Sequence, residues 1–273
     1  MAGKSGRTAI VKEVKEITPN MRRIVLGGPD LADFPEDALG GYIKFIFPNA
    51  PRSNPDRPVM RTYSVRAHDT AAGTVAVDFA MHADTGGIAM DWAVGAAVGD
   101  EIAVAGPGTI KMAPAEADWY LIAADMTGLP AASCNLERLP PEARGHAVFE
   151  IASDADAQEL PVPPGMTVIW VVNSDPAQNK TALLDAVQSL DWLPGTPFVW
   201  TACEFDTMRA LRSYYRLERG LAKAELYLSS YWRAGRTEDQ HKVDKRKDAD
   251  ASTPGLAGAA RSTVNAVRGL VSR

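Results

Sequence analysis

Cysteine is almost absent from this chain of 273 residues: Cys134 and Cys203 are the only two, and they lie far apart. That spacing excludes a disulfide framework and a cysteine-based metal site. Histidine is scarce as well, and His68, His82, His146 and His241 are too scattered to form a ligand set. No uninterrupted apolar run approaches the ~20 residues that cross a bilayer. The start, Met1-Ala2-Gly3-Lys4-Ser5-Gly6-Arg7, has no apolar stretch of the secretory kind. The expectation is a cytoplasmic protein with no transmembrane segment. Positive charge is not in excess. The formal net charge of −5 argues against general nucleic-acid binding but leaves room for a local basic pocket. With 46% hydrophobic and 23% charged residues, the composition is that of a globular protein. The length suits one large domain or two modest ones.

What is present falls into two halves. Residues 8–113 read as β-rich, with strands expected at 11–14, 21–26, 42–47, 60–66, 74–82 and 101–104 and a short helix at 88–94. Several short strands at this spacing suggest a sandwich or barrel. The segment Met112–Asp118 breaks the pattern and reads as a linker. Strands expected at 119–123, 147–152, 167–172, 198–202 and 224–228 then alternate with helices at 129–139, 180–190 and 205–219. That alternation predicts a mostly parallel sheet covered by helices. Residues 248–254 are small and polar and read as a second linker. Beyond it, Leu256, Ala260, Val264, Val267 and Val271 recur at helical steps, with Arg261, Arg268 and Arg273 as the only charges. The organisation is therefore residues 1–113, residues 114–247 and a tail of residues 248–273.

The most telling hexapeptide is Arg61-Thr62-Tyr63-Ser64-Val65-Arg66. In an extended strand Arg61 and Tyr63 point one way and Ser64 the other. Tyr63 offers a flat face to a planar ring, Arg61 a forked cation to a phosphate, and Ser64 a hydroxyl to a ring edge. A plain strand rich in Tyr, Thr and Val has the same letters. Farther on, His82-Ala83-Asp84-Thr85-Gly86-Gly87-Ile88-Ala89-Met90-Asp91-Trp92 runs through glycines into a helix start, where free N–H groups make a phosphate seat.

In the second half, Asp125-Met126-Thr127-Gly128 follows a strand, but the chain has no GxGxxG, so the ordinary dinucleotide fingerprint is missing. Asp125, Thr127, Cys203 and Glu204 all lie at strand ends, where open α/β sheets collect ligands. Cys203 has no local base that would activate it, so it reads as a small residue at a strand end. Tyr231-Trp232 follows the last expected strand and is placed to cover a ring. The basic stretch Arg233, Arg236, Lys242, Lys245, Arg246 and Lys247 is interleaved with acids and reads as a solvated helix face.

Taken in order, these segments resemble the siderophore-interacting protein family, flavin-dependent ferric-siderophore reductases of the ferredoxin-reductase-like superfamily. The resemblance spans about residues 8–247. The family's Arg-x-Tyr-Ser/Thr strand is matched by Arg61, Tyr63 and Ser64, and its Asp-Phe-x-x-His strand end by Asp78, Phe79 and His82. Its phosphate turn resembles Gly87, Ala89, Trp92 and Ala93. Its Asp-Trp-Tyr and Gly-Asp-Glu-Thr-Ala-Leu-Pro-Ala segments resemble Asp118 to Tyr120 and Asp125, Thr127 and Leu129 to Ala131. Its Trp-x-Ala-Gly-Glu end resembles Trp200, Ala202 and Glu204, and its Gly-Tyr-Trp-Arg-x-Gly segment Tyr231, Trp232, Arg233 and Gly235. The chain departs from the pattern at Ile88 and Met90, at Met126 in place of Glu, at Cys203 in place of Gly and at Ser230 in place of Gly.

The resemblance implies an N-terminal antiparallel flavin-binding β-barrel, a C-terminal α/β domain with a mostly parallel sheet, and a helical tail. It implies FAD held by Arg61, Tyr63, Ser64, His82, Gly87, Ala89, Trp92, Asp125, Thr127, Tyr231 and Trp232. Trp200, Cys203 and Glu204 fall on the electron-donor side, where NADPH, NADH or a ferredoxin-like protein serves. Lys44, matching a family lysine, joins Arg233, Lys242, Lys245 and Arg246 as candidates for binding an anionic ferric siderophore. No protein nucleophile, acid–base pair or resident metal is required, because the flavin carries the chemistry. Two other readings fit the same letters: a flavin oxidoreductase of the same fold with another acceptor, and a siderophore-binding protein without turnover.

Overall fold

A computed structural model describes residues 6–51, 53, 56, 58–81 and 87–252. The chain divides into two units, Met1–Tyr231 and Trp232–Arg273. The first unit opens with seven strands: β1 (Arg7–Thr18), β2 (Met21–Gly27), β3 (Tyr42–Phe47), β4 (Val59–Ser64), β5 (Ala67–Asp69), β6 (Thr74–Ala80) and β7 (Glu101–Ala105). They form one sheet in the order β4-β3-β7-β1-β2-β6-β5, and every neighbouring pair is antiparallel. Its two edges, β4 and β5, are separated in sequence by only Val65 and Arg66. The Val65 N–H donates to Gly41 O and the Arg66 N–H to Ala76 O on β6, so the chain itself joins the edges and rolls the sheet into a barrel.

Alternation decides which side chains fill the barrel. Ile43, Phe45 and Phe47 of β3 are buried, as are Val75, Val77 and Phe79 of β6, while Lys44 faces outward. Asp78 is the polar exception in the barrel wall. It takes both ends of the Arg23 guanidinium, 2.6 Å to Oδ1 and 2.8 Å to Oδ2, from the directly opposite position on β2. Helix α1 (Ile88–Gly95) packs Ala89 and Ala93 onto the same core.

The segment expected to be a linker is fastened down. The Trp200 indole donates to Lys111 O at 2.7 Å, Asn135 Oδ1 accepts from the Ala113 N–H at 2.7 Å, and the Tyr120 hydroxyl reaches Pro114 O and Ala115 O. Beyond it lie β8 (Trp119–Ala124), α2 (Leu129–Arg138), β9 (Arg144–Ile151), β10 (Gly165–Val172), α3 (Ala182–Gln188), β11 (Pro197–Glu204), α4 (Phe205–Ser213) and β12 (Leu226–Trp232). The sheet order is β10-β9-β8-β11-β12, with β10-β9, β9-β8 and β8-β11 parallel. All six residues of β8 are buried, as expected of a central strand covered on both faces.

Side chains also join the barrel to this half. Arg66 pairs with Glu137 of α2 at 2.7 Å, and the Cys134 thiol donates to Val65 O and Arg66 O. Asp156 is fully buried and accepts from the Thr18 hydroxyl, the Asn20 backbone and amide N–H groups, and the Ser153 N–H and hydroxyl, over 2.7–3.0 Å.

Several expected boundaries move. The strand expected at 74–82 ends at Ala80, and His82 lies outside the described residues. The last strand of the sheet runs from Leu226 to Trp232, so Tyr231 and Trp232 are part of it and do not follow it. The helix expected at 205–219 changes at Tyr214 into a wider π turn, Tyr214–Glu218. In the second unit, α5 (Glu238–Ser252) runs through residues 248–252, which read as a linker in the sequence. Ala249 and Ala251 are strong helix formers, and the first strong stop signal is Pro254. The expected amphipathic stripe at 256–271 lies outside the described residues.

Candidate functional site

Arg61, Tyr63 and Ser64 lie on β4, an edge strand paired in the sheet only with β3. Edge strands present backbone donors and acceptors along the open side. Arg61 stands opposite Phe45 and Tyr63 opposite Ile43, so both share the face of β4 that meets the barrel interior. The Tyr63 ring lies 4.2 Å from Phe79 and 5.5 Å from Phe45. Trp92 of α1 closes the cluster, 5.2 Å from Phe45 and 5.9 Å from Phe79. One aromatic group thus unites Tyr63 and Trp92, which are distant in sequence.

Gly87 is the N-cap of α1 and makes no side-chain cap of its own. Among the described residues, a Cβ at Gly87 would meet the Met90 side chain alone, at 3.7 Å. An edge strand bearing an arginine and an aromatic, joined through that cluster to a helix that starts at a glycine, suits an aromatic ring system joined to phosphates.

Ser64 points from the other face of β4 and meets Tyr231 of β12. Burial, and then the neighbouring Tyr227, push the Tyr231 phenol well above its ordinary pKa, while the hydrogen bond with Ser64 opposes them. Asp125 and Cys134 also act on this phenol. Tyr231 is therefore the meeting point of the barrel strand, the start of α2 and the last sheet strand.

The sheet order reverses direction between β8 and β11, and the crevice beyond their carboxyl ends is where such sheets take ligands. Asp125 is buried there, and its Oδ1 accepts from the Thr127 N–H at 2.9 Å, the Thr127 hydroxyl at 2.6 Å and the Gly128 N–H at 3.1 Å. A Cβ at Gly128 would sit 2.2 Å from Ala202 O, so only glycine lets α2 start this close to β11. The Met126 sulfur, which stands where the family has a glutamate, accepts from the Ala152 N–H at 3.4 Å.

Glu204 caps α4 by accepting from the Asp206 and Thr207 N–H groups. Cys203 is fully buried, and burial followed by the charges of Asp125, Glu150 and Glu204 raises its thiol pKa well above the ordinary value. That is the opposite of an activated nucleophile. Trp200 is buried against the other core, stacked on Tyr227 at 5.4 Å, so it and Cys203 face opposite sides of β11.

Glu150 was missed in the sequence. It is the penultimate residue of β9, beside this crevice, with the Asn173 side chain and the Leu183 backbone as hydrogen-bond partners. Burial first, then the charge of Asp125, raises its pKa to about 7. Its one signal was a lone charge inside the apolar run Ala147–Ile151.

The basic candidates are divided. Lys44 lies on β3 opposite Thr62, its ammonium 5.9 Å from the Tyr42 ring centroid. Arg233, Lys242, Lys245 and Arg246 belong to the second unit. There Arg233 pairs with Asp244 at 2.6 Å and Lys242 with Glu238 at 2.9 Å, so acids on the same unit balance part of the charge. His241 is 4% exposed, and burial, followed by Lys245, lowers its pKa to about 4.

Residues 10–56 and 52–111 match the siderophore-interacting FAD-binding domain, and residues 117–235 match the siderophore-interacting protein model. The chain belongs to the siderophore-interacting protein family. Ferric vibriobactin reductase ViuB of Vibrio cholerae is 30% identical over 247 residues, covering 85% of this chain and 90% of that protein. The NADPH-dependent ferric-chelate reductase of Escherichia coli is 25% identical, covering 84% and 93%. Among solved structures, the siderophore-interacting protein SipS from Aeromonas hydrophila superposes with a TM-score of 0.79 at 30% identity, over 90% of this chain and 99% of that one. The ferredoxin reductase of carbazole 1,9a-dioxygenase shares the fold alone, at 16% identity and a TM-score of 0.57 over 84% and 66%. The fold is ferredoxin-reductase-like, and the family's N-terminal domain is an FAD-binding one. Among the described residues, no helix is long and apolar enough to cross a membrane.

Proposed function

We propose that this chain is a ferric-siderophore reductase, with residues 1–113 seating FAD and residues 114–247 meeting the electron donor. The observation that carries the reading is the aromatic cluster that joins Tyr63 on the β4 edge to Trp92 of α1, the helix that starts at Gly87. Bound FAD would supply the link between a donor of two electrons and acceptors that take one electron each. Overall, one NAD(P)H and two siderophore-bound Fe(III) give NAD(P)⁺, two Fe(II) and one proton. A ferredoxin-like donor would instead deliver single electrons. Iron is substrate here: hard oxygen donors hold Fe(III) better than Fe(II), so reduction loosens the chelate.

The residues bind and orient. Arg61 and the start of α1 at Gly87 and Ala89 hold phosphate; His82, a candidate from the sequence for the same role, lies outside the described residues. Tyr63 and Trp92 support the ring, and Ser64, held by Tyr231, offers its hydroxyl to the ring edge. Asp125 and Thr127 set the start of α2, while Cys203 and Glu204 form the floor of the donor crevice. Lys44 attracts an anionic ferric chelate. In the second unit, taken by itself, Arg233, Lys242, Lys245 and Arg246 offer cations and Trp232 a ring face for the same chelate chemistry.

The visible spectrum of the purified protein tests the reading. After anaerobic chemical reduction, addition of a ferric siderophore and a ferrous trap should restore the flavin bands as Fe(II) appears. Bands that stay bleached would remove the siderophore from the proposal, and a protein that takes up no flavin would remove the whole of it. Reduction of soluble dyes with ferric chelates untouched would favour the other-acceptor reading.

A further inference from the structure

The strand β10 is an edge of the parallel sheet, and its sequence Gly-Met-Thr-Val-Ile-Trp-Val-Val carries no charge, no proline and no interior glycine. It pairs with β9 in unbroken register from Gly165–Arg144 to Val172–Ile151, without a bulge. Natural sheets protect such edges with lysines, prolines, bulges or a covering element. The first three devices are absent from β10. Val168, Ile169, Trp170 and Val171 are only half-buried and Val172 is 46% exposed, whereas every residue of central β8 is buried.

The direction of the backbone groups follows from one bond. In a parallel pair the N–H and C=O of a residue point to the same neighbour, and alternate residues point to opposite sides. The Asn173 N–H donates to Ile151 O of β9 at 2.8 Å, so odd-numbered residues face β9 and even-numbered ones face away. The Met166 N–H is taken by Pro163 O at 2.9 Å. Among the described residues, the outward N–H groups of Val168, Trp170 and Val172 have no backbone partner.

We propose that β10 pairs antiparallel with β10 of a second copy of this chain, across a twofold axis at Trp170. In that register Trp170 faces Trp170 of the other copy, and Val168 faces Val172 in both directions. Val168, Trp170 and Val172 are then the hydrogen-bonded positions of the new ladder, so each outward N–H finds a carbonyl. Registers displaced by one residue would turn these groups away from each other. The contact is isologous, closes at two copies and joins two five-stranded sheets into one. It leaves the far end of the sheet, where β12 carries Tyr231, uncovered.

Eight residues give ~26 Å of edge at about 3.3 Å each. An interface this narrow is at the small end of specific contacts, so the dimer exchanges with monomer at micromolar concentration. Each copy carries a net charge of −5, so added salt strengthens the pairing by screening repulsion.

Sedimentation velocity of the full chain across the micromolar range tests this. The wild type should pass from monomer to dimer, and earlier at higher salt. Val172→Lys sets an ammonium against Val168 of the other copy on both sides of the axis and should weaken the dimer at least ~10-fold with melting temperature unchanged. Val168→Pro removes an N–H that the monomer does not use, and edge strands tolerate proline at such positions; it should weaken the dimer likewise. A chain that stays monomeric over the range, or a dimer that either folded variant leaves intact, overturns the proposal.

Discussion

Asp156→Asn should destabilise this protein almost as much as deletion of the side chain, although it preserves shape. In the wild type both carboxylate oxygens accept: Oδ1 from Thr18 and the Asn20 backbone, Oδ2 from the Asn20 amide and from Ser153 twice. An asparagine must turn its NH2 toward one of these sets. The better choice keeps the acceptor toward Ser153 and the Asn20 amide. The Thr18 hydroxyl can then rotate to accept, but the Asn20 backbone N–H cannot. One buried donor is stranded, at about 1–3 kcal/mol, and the remaining bonds lose their charge assistance. The expected total is about 2–4 kcal/mol. At ~2–4 °C per kcal/mol for chains of this size, that is a fall in melting temperature on the order of 5–12 °C at pH 7.

The pH dependence supplies a second readout for that variant. Burial works to raise the Asp156 pKa, but the bonds from Asn20, Thr18 and Ser153 outweigh it and hold the value below the ordinary 3.8. A depressed carboxyl contributes stability above its unfolded pKa and loses it as pH falls through the folded value. The gap between wild type and Asp156→Asn should therefore be full at neutral pH and shrink below pH ~4. Calorimetry at several pH values measures both. A variant within about 0.5 kcal/mol of wild type at pH 7 would refute the network as a source of stability.

Three further outcomes are expected. Glu150, raised to about 7 from 4.5, costs stability as pH rises through that window; Glu150→Gln should therefore stabilise on the order of 2 kcal/mol at pH 8 and little at pH 4, read by thermal melts. Gly128→Ala drives a Cβ to within 2.2 Å of Ala202 O and should cost about 2–4 kcal/mol, whereas Gly87→Ala meets only a side chain at 3.7 Å and should cost far less. Tyr231→Phe keeps the ring and removes the hydroxyl; flavin content should persist while ferric reduction slows by about threefold to tenfold, the equivalent of one neutral hydrogen bond. Unchanged turnover would separate Tyr231 from the reaction.

Strands whose alternation serves one core were legible to the residue. Tyr42–Phe47 was read from its alternation alone, and the buried run at Trp119 needed one residue more. Helix α2 was bounded by the prolines that follow it. What could not be read is non-local. Three-residue β5 exists because the chain crosses from one barrel edge to β6. Tyr231 meets Ser64 only after both halves are built, and Asp156 finds its donors at Thr18 and Asn20, 138 and 136 residues earlier in the chain. Local letters misled at residues 248–252, where small polar residues read as a linker and alanines carried the helix on.

The strand bearing Arg61, Tyr63 and Ser64 is also where the barrel fastens, since it runs straight into the opposite edge of its own sheet. A seam is where a closed sheet begins to open, and here fraying would carry the proposed flavin seat away with it. Ligand retention and barrel closure then share one equilibrium, and by reciprocity each holds the other in place. Cofactor-free protein would exchange its amide hydrogens fastest along β4 and β5, ahead of the buried strands on the opposite wall.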